Sequence, residues 1–61
     1  MCELSVLLQD KLVFRDAVYA KADGKKVTVR NILGVYDTFE NCTIEELDVQ
    51  SERLILQSIK E

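Results

Sequence analysis

Apolar and polar residues alternate along most of the chain, in short runs separated by polar turn residues. Cys2, Leu4, Val6 and Leu8 share one parity while Glu3 and Ser5 take the other, which predicts a strand over residues 2–8 with one buried face. Gln9-Asp10 follows as a turn, and Leu12 to Phe14 opens a second short strand that Arg15-Asp16 breaks. Ala17 to Ala22 reads as a third strand, ending at Asp23-Gly24. Asp-Gly between apolar stretches is a hairpin signal, because a tight turn needs positive φ and glycine adopts it without a Cβ clash. Val27, Val29 and Asn31 then alternate with Thr28 and Arg30 as a fourth strand. Gly34 bends the chain after Ile32-Leu33, as at a bulge or barrel corner.

Residues 35–50 carry a weaker pattern. Val35-Tyr36 and Phe39 supply apolar anchors, and Leu47 and Val49 share a parity before Ser51-Glu52. Thr43 followed by Glu46 matches a helix capping box, with room for one helical turn at most. Leu54, Ile55, Leu56 and Ile59 close the chain as a final strand. Five or six short strands in 61 residues predict a single all-β domain over 1–61, a small curled sheet or barrel. Closure is the usual way to remove adhesive sheet edges.

Composition narrows the chemistry. A chain of 61 residues buries only about 60% of the surface its unfolded form exposes, so a staple, a metal or a partner subunit is expected to support it. The start Met1-Cys2-Glu3 has no basic n-region, and no apolar run is long enough for a signal peptide or a membrane span. With two cysteines and no secreted framework, the expectation is a cytoplasmic protein with reduced thiols. The net charge of −3 argues against a nucleic-acid surface, although Lys21, Lys25, Lys26 and Arg30 form a local basic stretch. The acidic residues gather later, at Glu40, Glu45, Glu46, Asp48 and Glu52.

Histidine is absent, which removes the commonest general base and the commonest metal ligand together. Gly24 and Gly34 are the only glycines, too few for a phosphate cradle. Glu45 and Glu46 are adjacent, and adjacent residues on a strand face opposite ways, so they make a poor acid–base pair. The chain is therefore not expected to be an enzyme. Cys2 and Cys42 lack the spacing of a zinc site and cannot complete four ligands alone. The terminus offers another donor set: the Cys2 thiolate, its own amide nitrogen and the Met1 amine can form fused chelate rings. Nickel(II) and copper(II) favour such square-planar sets, and a second Cys2 from a symmetry-related subunit supplies a further donor. Burial statistics alone favour a core cysteine at Cys2, which shares the parity of Leu4, Val6 and Leu8. Cys42 reads as core or as a partly buried loop residue. Phe14, Tyr19, Tyr36 and Phe39 read as core and rim residues rather than a base-stacking platform.

Several segments together resemble the CooT family. They are Met1-Cys2-Glu3, the run Val13-Phe14-Arg15-Asp16-Ala17-Val18, the Asp23-Gly24 hairpin and Asn31-Ile32-Leu33-Gly34. Ile44, Leu47-Asp48-Val49 and Leu54-Ile55-Leu56 continue the resemblance over nearly the whole chain. It implies a cytoplasmic protein with a small SH3-like or Sm-like barrel that forms a homodimer. It also implies an accessory or metallochaperone role for carbon monoxide dehydrogenase or its maturation factors, with Ni(II) bound through Cys2; with the two-fold donor set above, one Ni(II) is shared by Cys2 of both subunits. The family pattern asks nothing of Cys42. Its members have also been described as RNA-binding, so the alternative is a small Sm-like interaction module for RNA or a protein partner; fold analogy is a weak warrant for that function.

Overall fold

Alternating hydrophobicity becomes six strands and no helix in a computed structural model of the chain, which describes residues 3–59. They are β1 (Leu4–Leu8), β2 (Lys11–Asp23), β3 (Lys26–Asn31), β4 (Tyr36–Glu40), β5 (Cys42–Asp48) and β6 (Arg53–Ser58). They form one sheet in the order β4-β3-β2-β1-β6-β5. Every neighbouring pair is antiparallel except β1 with β6, where the first and last strands run parallel inside the sheet. A parallel pair needs a long crossover, and here strands β2 to β5 together provide it.

The core follows the predicted parity. Val6, Ala17, Val27, Val29, Cys42, Leu54 and Leu56 are buried, with Leu4, Leu8, Val13, Phe14, Phe39 and Ile44 packed against them. Leu4, Val6 and Leu8 thus share the inner face as expected, and β1 is described from Leu4 onward. Cys2, Met1 and the last two residues lie outside the described residues.

The expected second and third strands are one. Arg15-Asp16 does not end a strand; it is absorbed as a bulge, with Asp16 at φ 59°. Between Leu4↔Ala17 and Val6↔Phe14, β1 advances two residues and β2 three. Val13 and Val18 are each a further extra residue, opposite β1 and β3 respectively. Bulges bend a strand and increase its twist. The three fall between residues 13 and 18 and turn β2 away from β1, so that its second half pairs with β3.

The turns show how a chain with two glycines manages six strands. Leu8↔Lys11 is closed by Gln9 and Asp10, both at positive φ (54° and 64°), the requirement of a type I′ turn. The predicted Asp-Gly hairpin sits one residue later than expected. Asp23 still pairs with Lys26, and the two-residue loop is Gly24-Lys25, with Gly24 at φ 62° in the first position. Asn41, at φ 58°, is the single residue between β4 and β5.

One further expectation, the helical turn, is not met. No helical turn forms at Thr43–Glu46, because Cys42 and Ile44 face the core and the segment pairs with β6 as β5. A full strand ladder outweighs one capping interaction. Closure is also incomplete: among the described residues the ladder ends at β4 on one side and β5 on the other. The sheet curls until β3 meets β5, and the Cys42 N–H donates to the Lys25 carbonyl at 3.0 Å, but the two edge strands do not pair. The result is a compact curled sheet rather than a closed barrel.

Candidate functional site

The pairing register sorts the sheet into two ends. Leu4 is opposite Ala17, and Ala17 opposite Asn31; Ser5 is opposite Arg53, and Arg53 opposite Asp48. The start of β1, the β3–β4 loop and the β5–β6 loop therefore share one end, here termed the entry end. The Gln9-Asp10 turn, the Gly24-Lys25 turn and Asn41 occupy the other.

The ends differ in chemistry. Every exposed large hydrophobic side chain of the described residues except Leu12 belongs to the entry end or the strand positions beside it: Val18, Tyr19, Ile32, Leu33, Val35, Tyr36, Leu47 and Val49. Val35 and Tyr36 are thus not buried as anchors; of the three residues read as anchors in that stretch, Phe39 alone packs inward, and Leu47 and Val49 are exposed as well. Apolar residues placed consecutively around Gly34, out of alternation, are the sequence signal for this surface.

Asn31 builds the loop that carries much of it. Its Oδ1 accepts the N–H groups of Leu33 and Val35, each at 3.0 Å. Its own N–H donates to the Val35 carbonyl, and its carbonyl accepts the Gly34 N–H, both at 3.0 Å. Gly34 completes the turn at φ 88°. The outcome is a fixed loop with Leu33 at its tip, 84% exposed. Beside it Arg30 lies between two rings, with its guanidinium carbon 4.9 Å from the Tyr19 centroid and 5.9 Å from that of Tyr36. These are cation–π distances.

The β5–β6 loop is held in a similar way. Ser51 donates its N–H to Asp48 Oδ1 at 3.2 Å, and Glu52 donates its own to the Val49 carbonyl at 3.1 Å. The Ser51 backbone bond, more than any other influence, holds the Asp48 carboxyl below its ordinary pKa. The Ser5 N–H donates to the Glu52 carbonyl at 2.9 Å, tying this loop to β1.

Of the residues singled out from sequence, Met1 and Cys2 lie outside the described residues. The other thiol, Cys42, is a core residue, 4% exposed, whose Sγ donates to the Glu40 carbonyl at 3.4 Å. Glu45 and Glu46 are both exposed, Glu45 being the extra residue of a bulge against β6. Among the described residues, no group of three or more His, Cys, Asp or Glu side chains is placed to hold a metal ion. One concavity, of about 550 Å³, is an open groove bordered by Gln9, Asp10, Glu45, Ile55 and Gln57, with no thiol in it.

Cross-strand partners share a sheet face. Tyr19, Arg30 and Tyr36 form one row on the outer surface, Lys21, Thr28 and Thr38 the next, and Asp23, Lys26 and Glu40 the third. The contact between the Thr28 and Thr38 hydroxyls, 3.5 Å apart, belongs to the middle row. Lys21, Lys26 and Arg30 thus share a face, with Lys25 in the adjoining turn, but Asp23 and Glu40 flank Lys26.

No curated protein matches this chain. The model of the CooT family, described as CO dehydrogenase accessory protein CooT, matches residues 1–57, a span that takes in all six strands apart from the last residue of β6. An all-β chain with its one described thiol sealed in the core, matched from Met1 to Gln57, belongs to the CooT family of CO dehydrogenase accessory proteins.

Proposed function

We propose that this chain is a nickel(II)-binding accessory protein that acts as a cytoplasmic homodimer. One Ni(II) is held through Cys2 of both subunits, with the Met1 amine as a further donor. Nickel is the cargo, destined for carbon monoxide dehydrogenase or a maturation factor serving it. The observation that carries this reading is the family match, which includes Met1 and Cys2. Support comes from elimination among the thiols: Cys42 is buried and hydrogen-bonded, which leaves Cys2 as the cysteine available to a metal.

The chemistry follows from the donors. A thiolate and an amine must lose protons before they bind, so affinity falls as pH drops below their reference values near about 8. A set rich in nitrogen and sulfur suits square-planar nickel(II) better than tetrahedral zinc. Replacing Cys2 by Ser removes tight nickel binding and leaves the fold unchanged. A variant that binds nickel as tightly as wild type sinks the proposal.

The second reading, a small Sm-like module for RNA or a protein partner, draws on the outer face that carries Lys21, Lys26 and Arg30. Asp23 and Glu40 in the same rows, and the tyrosines that occupy Arg30, weaken it. It predicts RNA retention that falls steeply with salt, and salt-insensitive or absent retention removes it.

A further inference from the structure

We infer that Asp37 guards the free edge of β4: its carboxylate occupies the amide that an added strand would need, and so keeps the sheet from gaining a strand there. The inference takes nothing from the metal reading above.

The register shows which backbone groups the edge exposes. The Asn31 N–H donates to the Val35 carbonyl, so these two residues are a hydrogen-bonded antiparallel pair. Alternation along the ladder makes Val29↔Asp37 and Val27↔Phe39 pairs of the same kind. Tyr36, Thr38 and Glu40 therefore turn their backbone N–H and C=O groups away from β3, and β4 is the last strand of the sheet on that side. Left open, three rungs about 6.8 Å apart would template a further strand. The middle rung is taken, because the Thr38 N–H donates to Asp37 Oδ1 at 2.9 Å. The other two are about 14 Å apart, and a carbonyl brought up to Thr38 meets a carboxylate instead of a donor.

The placement of the charge is the second argument. Asp37 is opposite Val29, which is fully buried, and two residues from Phe39, which packs on the core, so it holds an inner-face position. Parity asks for an apolar residue there. Among the described residues the Thr38 amide is the one polar partner of Asp37, so no ion pair accounts for the acid. A strand laid beside β4 would cover this face and take the carboxylate out of water, which opposes pairing. Inward-pointing charges on edge strands block edge-to-edge association in this way.

The local sequence shows why a guard is needed. Val35-Tyr36 and Thr38-Phe39 are strong strand formers, and the chain has no Pro to interrupt them. With an apolar residue at 37 they would make an unbroken β-prone run on an exposed edge, the signature of segments that stack into fibrils. The far edge is protected by other means. There the Cys42 N–H donates to the Lys25 carbonyl at 3.0 Å, and the bulge at Glu45 interrupts the ladder beyond Ile44.

The test compares wild type, Asp37→Ala, Asp37→Asn and Glu40→Ala in excess chelator. Glu40→Ala removes the same charge from the same strand, but at an outer-face position. Both positions are exposed, so circular dichroism should show the wild-type fold. Sedimentation velocity and thioflavin T fluorescence follow assembly beyond the wild-type species, and hydrogen exchange follows the Thr38 amide. Loss of a charge-assisted bond should favour strand addition roughly tenfold to a hundredfold in Asp37→Ala, with Thr38 exchange in the dispersed protein faster than in wild type. Asp37→Asn keeps an acceptor oxygen without the charge and should fall between the two, while Glu40→Ala should match wild type. An Asp37→Ala that stays at the wild-type level of assembly overturns the proposal; should that variant unfold, an Asp37→Asn that stays there does the same. A Glu40→Ala that assembles as readily as Asp37→Ala also overturns it, because the effect is then one of net charge.

Discussion

Replacing Asn31 by Ala should loosen the β3–β4 loop without unfolding the sheet. The substitution removes the Oδ1 acceptor of two amides, those of Leu33 and Val35, and leaves the two backbone bonds between Asn31, Gly34 and Val35 in place. An intramolecular hydrogen bond contributes about 0.5–1.5 kcal/mol net, and water replaces part of it at an exposed site. The pair is therefore worth about 1 kcal/mol to the closed loop, or roughly a fivefold shift in its opening equilibrium. Amide hydrogen exchange followed by NMR reads this directly, because local opening sets protection. The Leu33 and Val35 amides should exchange roughly fivefold faster in Asn31→Ala, while Leu54 in the core should change only with global stability. Asn31→Asp keeps the acceptor oxygen and should restore protection at neutral pH. Equal exchange at Leu33 and Val35 in wild type and Asn31→Ala would refute the claim that Asn31 orders the tip.

Gln9 holds φ 54° with a Cβ, at a cost of about 1–2 kcal/mol that Asn tolerates better, so Gln9→Asn should stabilise the chain by about 0.5–1 kcal/mol and raise its melting temperature by a few degrees. A lowered melting temperature would contradict the type I′ turn. Asp48 should titrate below the ordinary 3.8, because the Ser51 amide favours its charged form. Its tether on the β5–β6 loop is then fully present above that value and is lost as pH falls through the depressed folded pKa. NMR titration of the Asp48 carboxyl and the Ser51 amide checks the direction, and a midpoint at or above 3.8 would oppose it.

The strands were legible where burial imposes strict alternation. Val6 between Leu4 and Leu8, Val27 with Val29, and Leu54 with Leu56 all point inward as their spacing predicts. The long bent β2 was not legible, because a bulge is defined by the partner's register. Nothing local to Arg15-Asp16 distinguishes a bulge from a break. The same limit applies at Thr43, where a capping pattern yields to pairing with β6. Hydrophobicity misled at Val35 and Tyr36, read as anchors yet exposed, since it marks residues that avoid water without saying whether their own chain covers them. The thiols divide in another way. Cys42 was readable as a core residue, whereas the interest of Cys2 comes from its place beside Met1 and from the family to which the chain belongs.

The most direct test of nickel handling at Cys2 is a nickel(II) titration of wild type and Cys2→Ser at pH about 8, near the thiol and amine reference values. It is followed by calorimetry together with thiolate-to-nickel absorption. The account predicts saturation near one nickel per two chains in wild type, with the absorption band and the tight binding both lost in Cys2→Ser. Equal binding by the two proteins, or saturation by Cys2→Ser with an unchanged absorption band, would contradict it.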